Sequence, residues 1–212
     1  DEGTCAYDEL AALVDGTARS LLDGRSSLDG ERVLLLAGSG RRYVASLLAI
    51  WRAGGVAVPL APGQPTAEWD YVAGDAKAAL AVVERPYSVP FSPVAASRAV
   101  RTVDPDIARA GCPVVASATG PALMLYTSGT TGRPKGVVLT HANLEFQTRC
   151  LCQAWEWTAA DRLLHVLPLN HVHGIVNALL CALRAGATCE MLPRFDATRV
   201  WERMASCEVS LF

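Results

Sequence analysis

The 212 residues, 51% hydrophobic and 19% charged, can bury a substantial core, which excludes a disordered chain. Nineteen basic against 21 acidic residues leave a net charge of −2, which favours neither nucleic acid nor an anionic membrane as a partner. Seven cysteines (5, 112, 150, 152, 181, 189 and 207), with no CxxC pair, read as reduced thiols of an intracellular protein, in the cytosol or an organelle matrix.

In chain order, residues 7–22 place Leu10, Leu13, Val14, Ala18 and Leu21 at helical intervals and predict a helix. Residues 32–37 (RVLLLA) form a continuous apolar run, expected of a strand covered on both faces. A helix over 42–53 stops at Gly54-Gly55, and residues 55–60 (GVAVPL) predict a second strand. A helix over 66–76, with Thr66 as its cap, and a strand over 79–83 follow. The alternation predicts an α/β fold, a doubly wound, layered parallel sheet.

Residues 86–121 hold six of the twelve prolines and predict an irregular excursion, with one edge strand near Val114 and Val115. The alternation then resumes. Residues 122–126 predict a strand, 127–136 a loop, 137–139 a short strand, and 141–155 a helix capped by Thr140. Next come a strand over 163–167, a helix over 172–183, a strand over 187–192, a helix over 198–206 and the opening of a strand over 209–212. Residues 163–183 carry no charged side chain, which raises the question of a membrane span. Their three histidines, two asparagines, proline and glycine fit a strand, a polar turn and a buried helix better, so no span is expected. The first residues form no signal or transit peptide and lack an initiator Met. The chain is therefore expected to start inside a longer reading frame or after processing.

Residues 126–136 (YTSGTTGRPKG) carry the chemistry. Four hydroxyls (Thr127, Ser128, Thr130, Thr131) stand beside Gly129, Gly132 and Gly136 and one lysine, Lys135. Glycines let backbone N–H groups close on a ligand, hydroxyls add donors, and an ammonium adds a compact charge. The set suits a polyphosphate, although the spacing is not that of the usual P-loop. A solvated turn between two strands is the plain alternative. Lysine is otherwise rare here, since Lys77 is the only other one, which favours a purpose for Lys135. A second group is Leu167-Pro168-Leu169-Asn170-His171-Val172-His173-Gly174. His165, His171 and His173 invite a metal reading, but no carboxylate or cysteine stands near in sequence to complete a zinc set, and no metal site is expected.

The string Thr127-Ser128-Gly129-Thr130-Thr131-Gly132-x-Pro134-Lys135-Gly136, followed by Thr140-His141-x-Asn143-Leu144, resembles the signature loop of the adenylate-forming superfamily. That superfamily comprises acyl-CoA synthetases, adenylation domains and luciferases. The segments around Trp155, Trp157, Pro168, Asn170, His171, His173 and Gly174 look like its malonyl-CoA synthetase branch, although Asn170 departs from the residue often found there. The resemblance implies that residues 1–212 are the first part of a large N-terminal AMP-binding domain, truncated before the small C-terminal lid. It implies ATP-dependent activation of a carboxylic acid, a short dicarboxylate such as malonate, through an acyl-adenylate to a coenzyme A thioester, with Mg²⁺ as counter-ion. Thr127, Ser128, Gly129, Thr130, Thr131, Gly132, Arg133, Pro134 and Lys135 would hold ATP. Thr127, Lys135 and His171 would act in catalysis, and His171, His173 and Gly174 would contact the acid. Residues 1–212 alone, without the lid, are expected to be inactive in thioester formation. An adenylation domain that loads a carrier protein, and a non-catalytic nucleotide-binding fragment, stay open as alternatives.

Overall fold

Four consecutive leucine or valine positions cannot alternate inside and out, so a strand built from them needs cover on both faces. The computed structural model describes residues 3–105, 120–127 and 132–212, which divide into a unit ending at His141 and a unit of Ala142–Phe212. In the first unit, β1 (Arg32–Leu36), β2 (Val56–Pro59) and β3 (Leu80–Val83) are parallel neighbours, fully buried from Val33 onward. With β4 (Arg101–Val103), β5 (Pro121–Thr127) and β6 (Lys135–Thr140) they form one sheet of order β4-β3-β1-β2-β5-β6. Helices α1 (Tyr7–Leu22) and α2 (Arg41–Arg52) pack on each other, as do α3 (Thr66–Asp75) and α4 (Arg85–Arg98). Leu34, Leu36, Val56, Val58, Ala81 and Val83 share a core with Trp69, Val72, Phe91 and Val94 of α3 and α4.

The mainly parallel α/β architecture agrees with the sequence, and several details correct it. The expected irregular excursion over 86–121 contains α4 and β4. Pro86 sits in the first turn of α4, where its missing N–H costs nothing, but Pro90 and Pro93 lie inside. Burial of Phe91 and Val94 outweighs their poor helix propensity. Val114 and Val115 lie outside the described residues. Thr66 does not cap α3: Pro65 is the N-cap and Thr66 is the first helical residue. β6 runs antiparallel to β5 and begins at Lys135, so Thr127, Lys135 and Gly136 belong to strands rather than to the loop.

The second unit contains α5 (His141–Ala154), which starts on the last residue of the first, and a parallel pair, β7 (Arg162–His165) and β8 (Thr188–Met191). Leu211 bridges to Leu163 in parallel, on the expected strand over 209–212. The helix expected over 172–183 is a π-helix (His173–Leu180) followed by α6 (Cys181–Ala185), and α7 is Ala197–Ala205. The six described cysteines are free, and burial pushes Cys181 and Cys189 up to about 12, so both remain thiols. Among the described residues no helix is long and apolar enough to cross a membrane.

Candidate functional site

In open α/β sheets, ligands sit beyond the carboxyl ends of the strands, most often where the chain reverses its direction of winding. Here that point lies between β1 and β3, because β2 adds on one side of β1 and β3 on the other. The turn after β1, Gly38-Ser39-Gly40, leads into α2 and looks suited to an anion. It is already filled. The Gly38 N–H donates to Glu84 Oε2 at 2.8 Å, and Arg42 lies 3.5 Å from Glu84 Oε1.

The second turn at the same edge follows β5, which runs parallel to β2. Antiparallel pairing sets Thr127 directly opposite Lys135 and Tyr126 opposite Gly136, with residues 128–134 between them. Both Thr127 and Lys135 are exposed, so a hydroxyl and an ammonium face each other at the mouth of the turn. Gly132 holds φ +88°, a conformation that favours glycine. Gly136 has a different purpose: a Cβ there would collide with Met124 Cε and come within 3.3 Å of Tyr126 Cζ. Ser128, Gly129, Thr130 and Thr131 lie outside the described residues.

The hairpin is tied to α3. Tyr71 donates its hydroxyl to the Pro134 carbonyl at 2.9 Å, and Tyr126 donates to Asp75 Oδ2 at 2.6 Å. The two rings meet edge to face at 6.4 Å, and the Arg133 guanidinium lies 5.8 Å from the Tyr71 ring centre. Burial, then the Asp75 hydrogen bond, raises the Tyr126 phenol well above its ordinary range, so it remains a donor.

In the second unit, buried His165 ends β7 and its Nε2 lies 2.9 Å from the Gly174 carbonyl. A carbonyl only accepts, so this bond places the proton on Nε2. Nδ1 has no partner among the described residues, and burial lowers the pKa of the ring below its ordinary 6.5. Gly174 is required by space, since a Cβ would strike the Pro168 carbonyl oxygen. His171 and His173 are exposed beside it. The His171 N–H donates to Pro168 at 3.4 Å, and its carbonyl accepts from Ile175 at 3.1 Å. Asn177 Nδ2 donates to His173 Nδ1 at 3.2 Å and is itself held by Gln147 Nε2, 3.3 Å from its Oδ1. Among the described residues no three His, Cys, Asp or Glu side chains gather where they could hold a metal ion.

The AMP-binding enzyme family matches residues 1–212, the whole chain. The chain belongs to the AMP-binding enzymes. It is similar to the mitochondrial malonate–CoA ligase ACSF3 of Mus musculus, 44% identical over 212 residues that cover 95% of this chain and 36% of that protein. It is also similar to a malonate–CoA ligase of Arabidopsis thaliana, 40% identical over 85% of this chain and 32% of the relative. Among solved structures, a malonyl-CoA ligase with methylmalonyl-CoA and AMP bound superposes with TM-score 0.84 at 33% identity, over 99% of this chain and 43% of that one. ATP-bound MatB from Rhodopseudomonas palustris gives 0.80 at 32% identity, over 94% and 42%. The chain thus spans about a third of the length of the curated relatives it matches.

The AMP-binding signature was legible as a string, but its supports were not. Tyr71 and Asp75 sit 63 and 51 residues from their partners, in a helix over 66–76 to which the sequence attaches no chemistry. His165 was legible as a strand histidine, whereas its bond to Gly174 depends on how the following turn closes.

Proposed function

We propose that this chain carries the polyphosphate-binding part of an AMP-forming acid–thiol ligase that activates a short dicarboxylate such as malonate. The observation that carries the proposal is the hairpin that sets Thr127 against Lys135 at the carboxyl edge of the sheet, while the neighbouring glycine turn is closed by Glu84. The relatives named malonate–CoA ligase support the substrate, and the ATP-bound structural neighbour supports the nucleotide. Their greater length is consistent with residues 1–212 forming the first portion of an N-terminal AMP-binding domain. The mitochondrial name of the mouse relative supports an intracellular, organelle-matrix setting.

In the proposed reaction a carboxylate oxygen attacks the α-phosphorus of ATP, and the bond to pyrophosphate breaks. The acyl-adenylate then yields its acyl group to the coenzyme A thiol, releasing AMP. Charge accumulates on the phosphoryl oxygens and on departing pyrophosphate. The Lys135 ammonium, the Thr127 hydroxyl and the hydroxyls and N–H groups of Ser128, Gly129, Thr130, Thr131 and Gly132 would stabilise it, with Arg133 and Pro134 completing the turn. His171 would orient the carboxylate, with His173 and Gly174 shaping the adjoining wall. Mg²⁺ is expected to accompany ATP, and among the described residues no cluster of His, Cys, Asp or Glu side chains would hold it.

Malonate-dependent exchange of labelled pyrophosphate into ATP by the intact protein, followed by thioester formation with free coenzyme A, tests the proposal. Exchange with malonate and a malonyl-CoA product are expected. Absence of malonate-dependent exchange would overturn it, and thioester formation on a pantetheinylated carrier but not on coenzyme A would change the acceptor.

A further inference from the structure

We propose that Tyr71 and Asp75 of α3, acting through Tyr126 and Pro134, are positioning residues that hold both ends of the polyphosphate turn in register. This deepens the phosphate assignment made above and rests on it. Tyr71 and Asp75 are one helical turn apart and therefore share a face of α3. Each takes hold of the residue that immediately precedes one of the facing pair. Tyr71 binds the Pro134 carbonyl, next to Lys135, and Asp75 binds the Tyr126 hydroxyl, next to Thr127.

The two anchors are not independent surface contacts. Both tyrosine rings pack against the core that contains Trp69, Val72 and Met124, and they meet each other edge to face. Gly136 leaves the space that the Tyr126 ring and Met124 occupy. Both rings are thus seated against the core, the Tyr71 hydroxyl reaching the hairpin from α3 and the Tyr126 hydroxyl reaching α3 from the hairpin. A charge placed on a polyphosphate is effective when its backbone is already fixed, because no reorganisation is then needed as the reaction proceeds. Thr127 and Lys135 are β-sheet register partners, so α3 fixes the hydroxyl and the ammonium together.

Phenylalanine substitutions remove the two hydroxyls and keep the rings, so the fold is preserved. Tyr71→Phe and Tyr126→Phe are each expected to raise KM for ATP about three- to tenfold, the equivalent of one lost hydrogen bond. KM for the carboxylic acid should stay unchanged. Asp75→Asn, which keeps an acceptor oxygen, should recover most of what Asp75→Ala loses, and Tyr87→Phe on α4 is the matched control with wild-type kinetics. Unchanged KM for ATP in both tyrosine variants, or parallel changes in KM for ATP and acid, would overturn the proposal. Hydrogen exchange reads the clamp without the reaction. In Tyr71→Phe the amides of Lys135 and Gly136 should exchange faster while those of β1 and β3 do not change, and identical rates throughout would overturn it. A wild-type protein that fails to use ATP would refute the phosphate assignment, and the exchange measurement would still decide whether α3 holds the hairpin.

Discussion

After β1 the chain turns through Gly38, Ser39 and Gly40; residues 128–134 stand between β5 and β6 in sequence. Both turns leave the carboxyl edge of one sheet and both are rich in glycine. The first lies at the reversal of winding, the position general rules would choose, yet a carboxylate from β3's end, Glu84, already accepts the Gly38 N–H and pairs with Arg42. The second contains no acidic residue, and the acid packed beside it, Asp75, is engaged by the Tyr126 hydroxyl. Under the proposed phosphate assignment, both turns have the glycine and the position for an anion, and the disposition of the protein's own carboxylates distinguishes them.

The largest effect that would sharpen the contrast comes from Lys135. Lys135→Ala should lower kcat/KM for ATP by about 10²–10³ with little change in KM for the acid, the typical effect of removing one such donor. Lys135→Arg should also impair the enzyme, because a planar fork does not replace a point charge. Steady-state kinetics with ATP as the varied substrate checks both.

Two glycines, Gly136 on the strand that leaves the second turn and Gly38 in the first, should differ next. At Gly136 an added methyl meets Met124 and Tyr126, and Gly136→Ala should cost about 1–3 kcal/mol of stability. At Gly38 the nearest atoms would be 3.4 Å and 3.5 Å away, an ordinary contact, so Gly38→Ala should cost less. Urea midpoints rank the two, and equal losses would break the comparison. A smaller effect is expected of Glu84→Gln, which keeps an acceptor for Gly38 but loses the charge facing Arg42. Stability should fall by about 0.5–1.5 kcal/mol, with kcat/KM for ATP within about twofold of wild type, as the same two measurements would reveal.

The smallest effect is one of pH. Burial lowers the pKa of both His165 and His141 below the ordinary 6.5. The unfolded chain therefore binds protons first as pH falls through about 6.5, so stability is full above that value and declines below it. Urea midpoints should drop from about pH 7.5 to about 5.5, and His165→Gln, whose amide can still donate to Gly174, should reduce the drop.

The parts of this account that sequence exposes are those written in local pattern. α1 was legible to its ends and β1 to within a residue, because a helical period and an unbroken apolar run have few other solutions. α4 was not, since three prolines outweigh any periodicity until Phe91 and Val94 find their core. The π-helix at His173 was not either, because the same apolar run fits i→i+4 and i→i+5 bonding equally well. In the candidate site the chemical residues stood in one string, while Glu84, Tyr71 and Asp75 act through contacts spanning 46 to 63 residues of sequence. The direction of β6 belongs with these, since a short apolar run carries no record of which way its neighbour points.

The most direct test of the central claim is a titration of the protein with ATP followed by amide NMR, with the two turns assigned. The resonances of Thr127, Gly132, Lys135 and Gly136 should shift with ATP concentration, while those of Gly38, Ser39 and Gly40 stay in place. Shifts at Gly38, Ser39 and Gly40, with the hairpin resonances unmoved, would contradict it.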